Sequence, residues 1–142
     1  MKLLASRLFL LSAASLLGLL VAIVGKHEQR RKVTGRMRER ADAADAFASH
    51  FTALGLLGVA EHVRGRLRLF VPADVSNLLP TDRFDKELHF SPDRQEVFLR
   101  FVYDIEEQFD LSLPDSATCV RMSVEEFVSV VSERRGQGRS PQ

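Results

Sequence analysis

Residues 91–109 read SPDRQEVFLRFVYDIEEQF and carry the clearest helical pattern in the chain. Ser91 is a good N-cap, Pro92 suits the first helical position, and Asp93 complements the positive end of the helix dipole. At 100° per residue, one face of this helix is apolar and the opposite face is charged. The apolar face consists of Phe98, Phe101, Val102, Ile105 and Phe109. The pattern predicts an amphipathic helix with one packed face and one solvated face.

The sequence on either side of this helix also favours helices. Ser123 with Glu126 three residues later forms a capping box before a final helix, whose buried stripe contains Phe127, Val128 and Val131. Upstream, residues 41–70 predict a helix interrupted near Gly55 or Gly58, because Ala44, Phe47, Phe51, Leu54 and Val59 recur at roughly helical spacing. Turn-forming residues cluster between Pro72 and Pro80 and predict a structured loop. The expected fold class is therefore all-α.

The N-terminal stretch at residues 8–25, LFLLSAASLLGLLVAIVG, contains eighteen residues without a charge. As a helix it spans about 27 Å, close to the thickness of a hydrocarbon core. The run is longer than the apolar region of a secretory signal. An uncleaved transmembrane anchor is the leading interpretation, with a cleaved signal and a mitochondrial presequence as alternatives.

Charge is divided unevenly along the chain, although the formal net charge is only +1. Residues 1–40 carry nine Lys/Arg against two Asp/Glu, whereas residues 41–142 carry eleven against seventeen. The positive-inside bias then predicts a single-pass membrane protein with its C-terminal domain in the cytoplasm. The residues expected to meet anionic lipid headgroups are Arg30, Arg31, Lys32, Arg36, Arg38 and Arg40. No aromatic residue is interleaved with them, so nucleic acid is not an expected partner.

These observations divide the chain into four expected regions. They are a membrane anchor (1–25), a basic juxtamembrane segment (26–43), a helical domain (44–135) and a disordered tail (136–142). With 142 residues there is room for one modest globular domain.

Nothing in the sequence is typical of an enzyme or a metal site. Cys119 is the only cysteine, which excludes an intrachain disulfide and a thiolate cluster, and it is expected to be a small core residue. The four histidines lack the i, i+4 spacing that places two ligands on one helix face. We expect no metal and no catalytic residue.

Residues 104–131, DIEEQFDLSLPDSATCVRMSVEEFVSVV, resemble the C-terminal half of acyl carrier proteins. In that family an acidic second helix ends in E-E-x-F, continues through a hydrophobic turn to I-P-D, and closes with a T-V or S-V helix start. The matching residues are Glu106, Glu107, Phe109, Leu111, Leu113, Pro114, Asp115, Ser123 and Val124. The resemblance covers roughly residues 55–135 and implies a small antiparallel helical bundle with one long loop.

The resemblance also implies a serine in a D-S-L context that carries phosphopantetheine. At the family's spacing from Phe109 the position is Gln95, preceded by Arg94, so this chain departs from the motif. Ser91 lies nearby and is the alternative attachment site, although its hydroxyl is expected to cap the helix. The leading expectation is that the chain holds no cofactor.

Three functions remain open on these grounds. The leading one is a membrane-anchored, acyl-carrier-like domain that acts as a protein-interaction or assembly module. The alternatives are a working carrier with phosphopantetheine on Ser91 and a structural single-pass subunit of a membrane complex.

The expected contact surface for a partner with a basic patch consists of Glu96, Arg100, Tyr103, Asp104 and Glu107. The same residues also suit an ordinary solvated face, since Glu96 and Arg100 form an i, i+4 pair. The oligomeric state is left open.

Overall fold

The computed structural model describes residues 2–40 and 42–138, with side chains from residue 14 onward. Over this part of the chain the protein is a helical bundle without a β-strand, so the predicted all-α class is confirmed. The helices are α1 (Lys2–Arg38), α2 (Ala43–Ala53), α3 (Leu57–Leu67), α4 (Gln95–Phe109), α5 (Ser116–Cys119) and α6 (Val124–Gln137), with a 3₁₀ turn (Pro92–Arg94) directly before α4.

The predicted membrane anchor is contradicted. Within the residues that the structure describes, no helix has a stretch both long and apolar enough to cross a membrane. The side chains of residues 8–13, the first part of the predicted span, lie outside the described set. The predicted single-pass localisation depended on this span and is therefore wrong.

The C-terminal half of α1 is part of the bundle, not a separate basic segment at 26–43. Gly25, Gln29, Val33 and Met37 recur at every fourth position and are all buried. This spacing places them on one face of the helix, which packs against the 68–91 loop and the 3₁₀ turn. The charged residues of the same segment are exposed around the rest of the helix. The folded unit therefore begins about twenty residues before the predicted boundary at residue 44.

The predicted helix break near Gly55 or Gly58 occurs at Gly55. Its φ of +69° lies in the left-handed region that glycine adopts without strain. α2 ends at Ala53 and α3 begins at Leu57, so the two helices are joined by a short turn. Phe47 and Phe51 of α2 are fully buried, as their spacing predicted.

The long loop at residues 68–91 supplies the centre of the core. Phe84 is fully buried, and its ring contacts those of Phe98 and Phe101 on α4 and of Phe127 on α6. Val75, Leu78, Leu88 and Phe90 from the same loop are also buried. A loop that fills the core in this way behaves as a structural element, although it has no regular period that a sequence pattern reveals.

The capping box predicted at the start of α6 is confirmed. The Ser123 hydroxyl accepts a bond from the backbone N–H of Glu126, and the Glu126 carboxylate accepts one from the N–H of Ser123. Backbone bonds from Val124 to Asp82 and from Asp85 to Val120 tie this end of α6 to the long loop. The loop is thereby held on two sides, by α1 and by α6.

The first two residues of the predicted disordered tail belong to α6. Gly136 and Gln137 are helical, because α6 continues to Gln137. Residues 139–142, the rest of the predicted disordered tail, lie outside the described residues.

Candidate functional site

Ser91 does not cap a helix in the way the sequence predicted. Its backbone is extended, with φ −67° and ψ 168°, and its hydroxyl donates to Oδ1 of Asp93 at 2.5 Å instead of accepting from a helix N–H. The hydroxyl is therefore engaged by the carboxylate of Asp93 and not by the helix backbone. The Pro92–Arg94 turn then separates Ser91 from α4, which begins at Gln95.

α1 lies directly over Ser91. A narrow cavity of about 250 Å³ separates them, and its walls include Gly25 and Lys32 of α1 together with His89 and Asp93. Gly25 permits this approach, since a Cβ at that position would collide with Oδ2 of Asp93.

The position at which the carrier resemblance implies a serine carries no hydroxyl. Gln95 is exposed at the first turn of α4, and Arg94 before it is buried, with 8% of its surface exposed. Burial lowers the pKa of the Arg94 guanidinium, partly offset by the charge of Asp93. The geometry brings Ser91 and Gln95 to opposite ends of the 3₁₀ turn, and neither lies in a D-S-L context.

Gln29 holds α1 against this turn. Its side chain is 2% exposed, and Nε2 donates to the carbonyl oxygen of Leu88 at 2.8 Å, while Oε1 accepts from Nε of Arg94 at 3.0 Å. Sequence reasoning missed this residue, because it lies in a stretch dominated by positive charge. The four-residue spacing of Gly25, Gln29, Val33 and Met37 is the signal that identifies the buried face.

His89 faces the same part of α1. Its backbone φ is +51°, in the left-handed region. Desolvation by burial lowers the pKa of His89, and the positive charges of Lys32 and Arg36 lower it further. The imidazole therefore stays neutral to a lower pH than an exposed histidine does.

The predicted protein-contact face of α4 is only partly available. Tyr103 is 60% exposed, and Glu107 is exposed beside it. Glu96 and Arg100 are exposed and pair with each other at 2.7 Å. Asp104 is different, because its carboxylate accepts two bonds from the guanidinium of Arg66 on α3. Asp104 therefore joins α4 to α3 within the bundle.

The predicted lipid-contact residues also divide into two groups. Arg30, Arg31, Lys32, Arg36 and Arg38 are exposed on α1. Arg40 is not free, since its Nη1 donates to both carboxylate oxygens of Asp82, at 2.6 and 2.8 Å. Asp82 is 2% exposed and also accepts from the backbone N–H of Leu79. Arg40 thus fixes the end of α1 to the long loop.

The structure offers no arrangement for metal binding among the residues it describes, where no three His, Cys, Asp or Glu side chains cluster. Cys119 is fully buried and contacts the carbonyl oxygen of Pro114. Burial raises the pKa of its thiol to about 11, which keeps it protonated near neutral pH. Its placement in the core agrees with the sequence expectation.

Comparisons of the chain with protein-family models, with curated proteins and with solved structures gave no significant match.

Proposed function

We propose that this chain is an acyl-carrier-like helical bundle without an attachment serine, and that it acts as a protein-interaction or assembly module. The observation that carries the proposal is the chemistry around the 3₁₀ turn. Gln95 occupies the position that the carrier resemblance assigns to the serine, and the nearby Ser91 hydroxyl is bonded to Asp93. The order of α3, a long loop, α4, a short α5 and α6 supports the likeness to a carrier.

The partner in this proposal is a protein with a basic patch. Residues 82–133 contain thirteen Asp/Glu against five Lys/Arg, so this part of the bundle attracts positive surfaces. Tyr103 projects from the exposed face of α4 between Glu96 and Glu107 and adds an aromatic residue of the kind enriched in interaction hot spots. Asp104 contributes less, because Arg66 already neutralises it.

The absence of a cofactor is tested by co-expression with a broad-specificity phosphopantetheinyl transferase. The intact mass of the protein is expected to stay unchanged, since no serine in the sequence stands in a D-S-L context. A mass gain that disappears in Ser91→Ala would overturn the proposal and establish the working carrier instead.

The interaction face is tested by charge reversal. Glu96→Lys with Glu107→Lys avoids the Asp104–Arg66 pair, so the bundle should keep its circular dichroism spectrum. Asp45→Lys with Glu133→Lys makes the same charge change at exposed positions on α2 and α6. We expect the wild type and the control to recover partner proteins that the α4 variant does not recover. Raised salt should also reduce this recovery. Equal recovery by all three proteins would contradict a contact through this face.

A further inference from the structure

A cavity of about 630 Å³ lies between α1, the residues that follow α3 and the start of α4. Five cationic side chains line it, and none of the described lining residues carries a carboxylate. They are Lys26, Arg30, Arg68, Arg94 and Arg100. Its volume falls in the range of small-molecule sites in proteins.

Most of these cations form no ion pair of their own. Among the described residues, no carboxylate lies within ion-pair distance of Lys26, Arg30, Arg68 or Arg94, whereas Arg100 pairs with Glu96. The guanidinium of Arg94 is buried, and the bond that it makes in the structure goes to the neutral amide of Gln29. The charge of Asp93 offsets only part of the cost of this burial, so an anion in the cavity would stabilise the guanidinium further.

The apolar side of the cavity narrows the class of ligand. Leu69 is 66% exposed at its edge, and Phe70, Pro72 and Val97 are half-buried around it. Arginine guanidinium groups match phosphate oxygens in pairs, which makes phosphate the anion that several arginines recognise best. A ligand that satisfies both surfaces carries a phosphate and an apolar group.

We infer that this cavity binds a small phosphate monoester with an apolar substituent, the phosphate lying among Arg94, Arg30 and Lys26 and the substituent against Leu69 and Phe70. The cavity borders the exposed face of α4 that the proposed function uses, and Arg100 lies at the boundary between the two. It joins α1 to α4, and a bound phosphate would therefore also strengthen the docking of α1.

The test is isothermal titration calorimetry of the full chain with hexyl phosphate, inorganic phosphate and hexanol. Hexyl phosphate should bind most tightly, because it meets both surfaces of the cavity. Lys26→Gln with Arg30→Gln should weaken its binding about tenfold or more, as expected for lost charge-assisted bonds. These two side chains are exposed, so their replacement should leave the fold intact. Leu69→Ser should weaken hexyl phosphate but not inorganic phosphate.

The matched control is Arg121→Gln with Arg134→Gln, which removes the same charge from exposed positions outside the cavity. An equal loss of affinity in this control would show attraction by net charge alone and would overturn the inference. Phosphatidylcholine vesicles with and without phosphatidate distinguish a lipid headgroup from a soluble ester. Binding only to phosphatidate vesicles, lost in the Lys26/Arg30 variant, would assign the phosphate to a lipid. If neither hexyl phosphate nor the phosphatidate vesicles bind, the proposed site is overturned.

Discussion

Residues 14–24 of α1 are almost entirely apolar and yet exposed, whereas residues 25–38 of the same helix are mostly polar and yet supply a buried face. Leu16, Leu20 and Val24 are all more than half exposed, while Val33 and Met37 lie in the core. Mean hydropathy alone would predict that residues 14–24 are buried and that residues 25–38 are exposed. What determines burial is one stripe of side chains at the correct spacing and a surface that complements it, not the average over all faces of a helix.

The largest expected difference in stability between the two halves follows from placing a charge in each of them. Val33→Asp places a carboxylate in the core and is expected to lower the free energy of unfolding by about 3 kcal/mol. Val21→Asp introduces the same group in the exposed half, where a change below about 0.5 kcal/mol is expected. Urea unfolding followed by circular dichroism measures both. Similar losses in the two variants would mean that residues 14–24 are packed as firmly as the docked half.

The bridge made by Gln29 should have the next largest effect. Gln29→Ala leaves the carbonyl of Leu88 and Nε of Arg94 without their partner, which should cost about 2 kcal/mol of stability. Hydrogen exchange should also speed up in residues 25–37 of α1. Gln108→Ala, at an exposed position of α4, is the control and should change stability by less than about 0.5 kcal/mol. Unchanged exchange in α1 would argue that its docking depends on Val33 and Met37 alone.

Two glycines sharpen the comparison further. Gly35→Ala should stabilise the protein by about 1 kcal/mol, because alanine favours a helix and nothing lies near the new Cβ. Gly25→Ala should gain less or lose stability, because its Cβ meets Asp93. In an Asp93→Ala background the two substitutions should become equivalent. Thermal unfolding gives the comparison, and equal gains in the unaltered background would refute the close approach of α1.

The smallest expected effect is on pH dependence. The pKa of His89 is lowered in the folded state, so the unfolded chain binds more protons between the two pKa values. Stability should therefore fall as pH drops through the ordinary histidine pKa of about 6.5, until His89 is charged in both states. His89→Asn, which tolerates the left-handed backbone, should remove this part of the loss. Chemical unfolding from about pH 8 to about pH 5 measures it, and parallel pH profiles for wild type and variant would exclude His89 as a contributor.

Much of the bundle was predictable, because its signals are local. The stripe from Phe98 to Ile105, the break at Gly55 and the capping box of Ser123 and Glu126 each depend on residues within one or two helical turns. The candidate site was predicted less well. The sequence singled out Ser91 as a helix cap and Asp104 as a contact residue, and their actual partners are Asp93 and Arg66. Only the first of those partners is a near neighbour in the chain.

The sequence by itself determined the helical class, the long loop and the amphipathic character of α4, because periodicity and capping act over short distances. Tertiary structure alone decided that Gln29 bridges Leu88 and Arg94 and that Asp82 pairs with Arg40. It also decided that Phe84, from a loop without a pattern, occupies the centre of the core. Each of these contacts joins residues about fourteen to sixty-five positions apart, and no local rule of spacing encodes such a pair. These interactions exist only because the tertiary fold brings the two residues of each pair into contact.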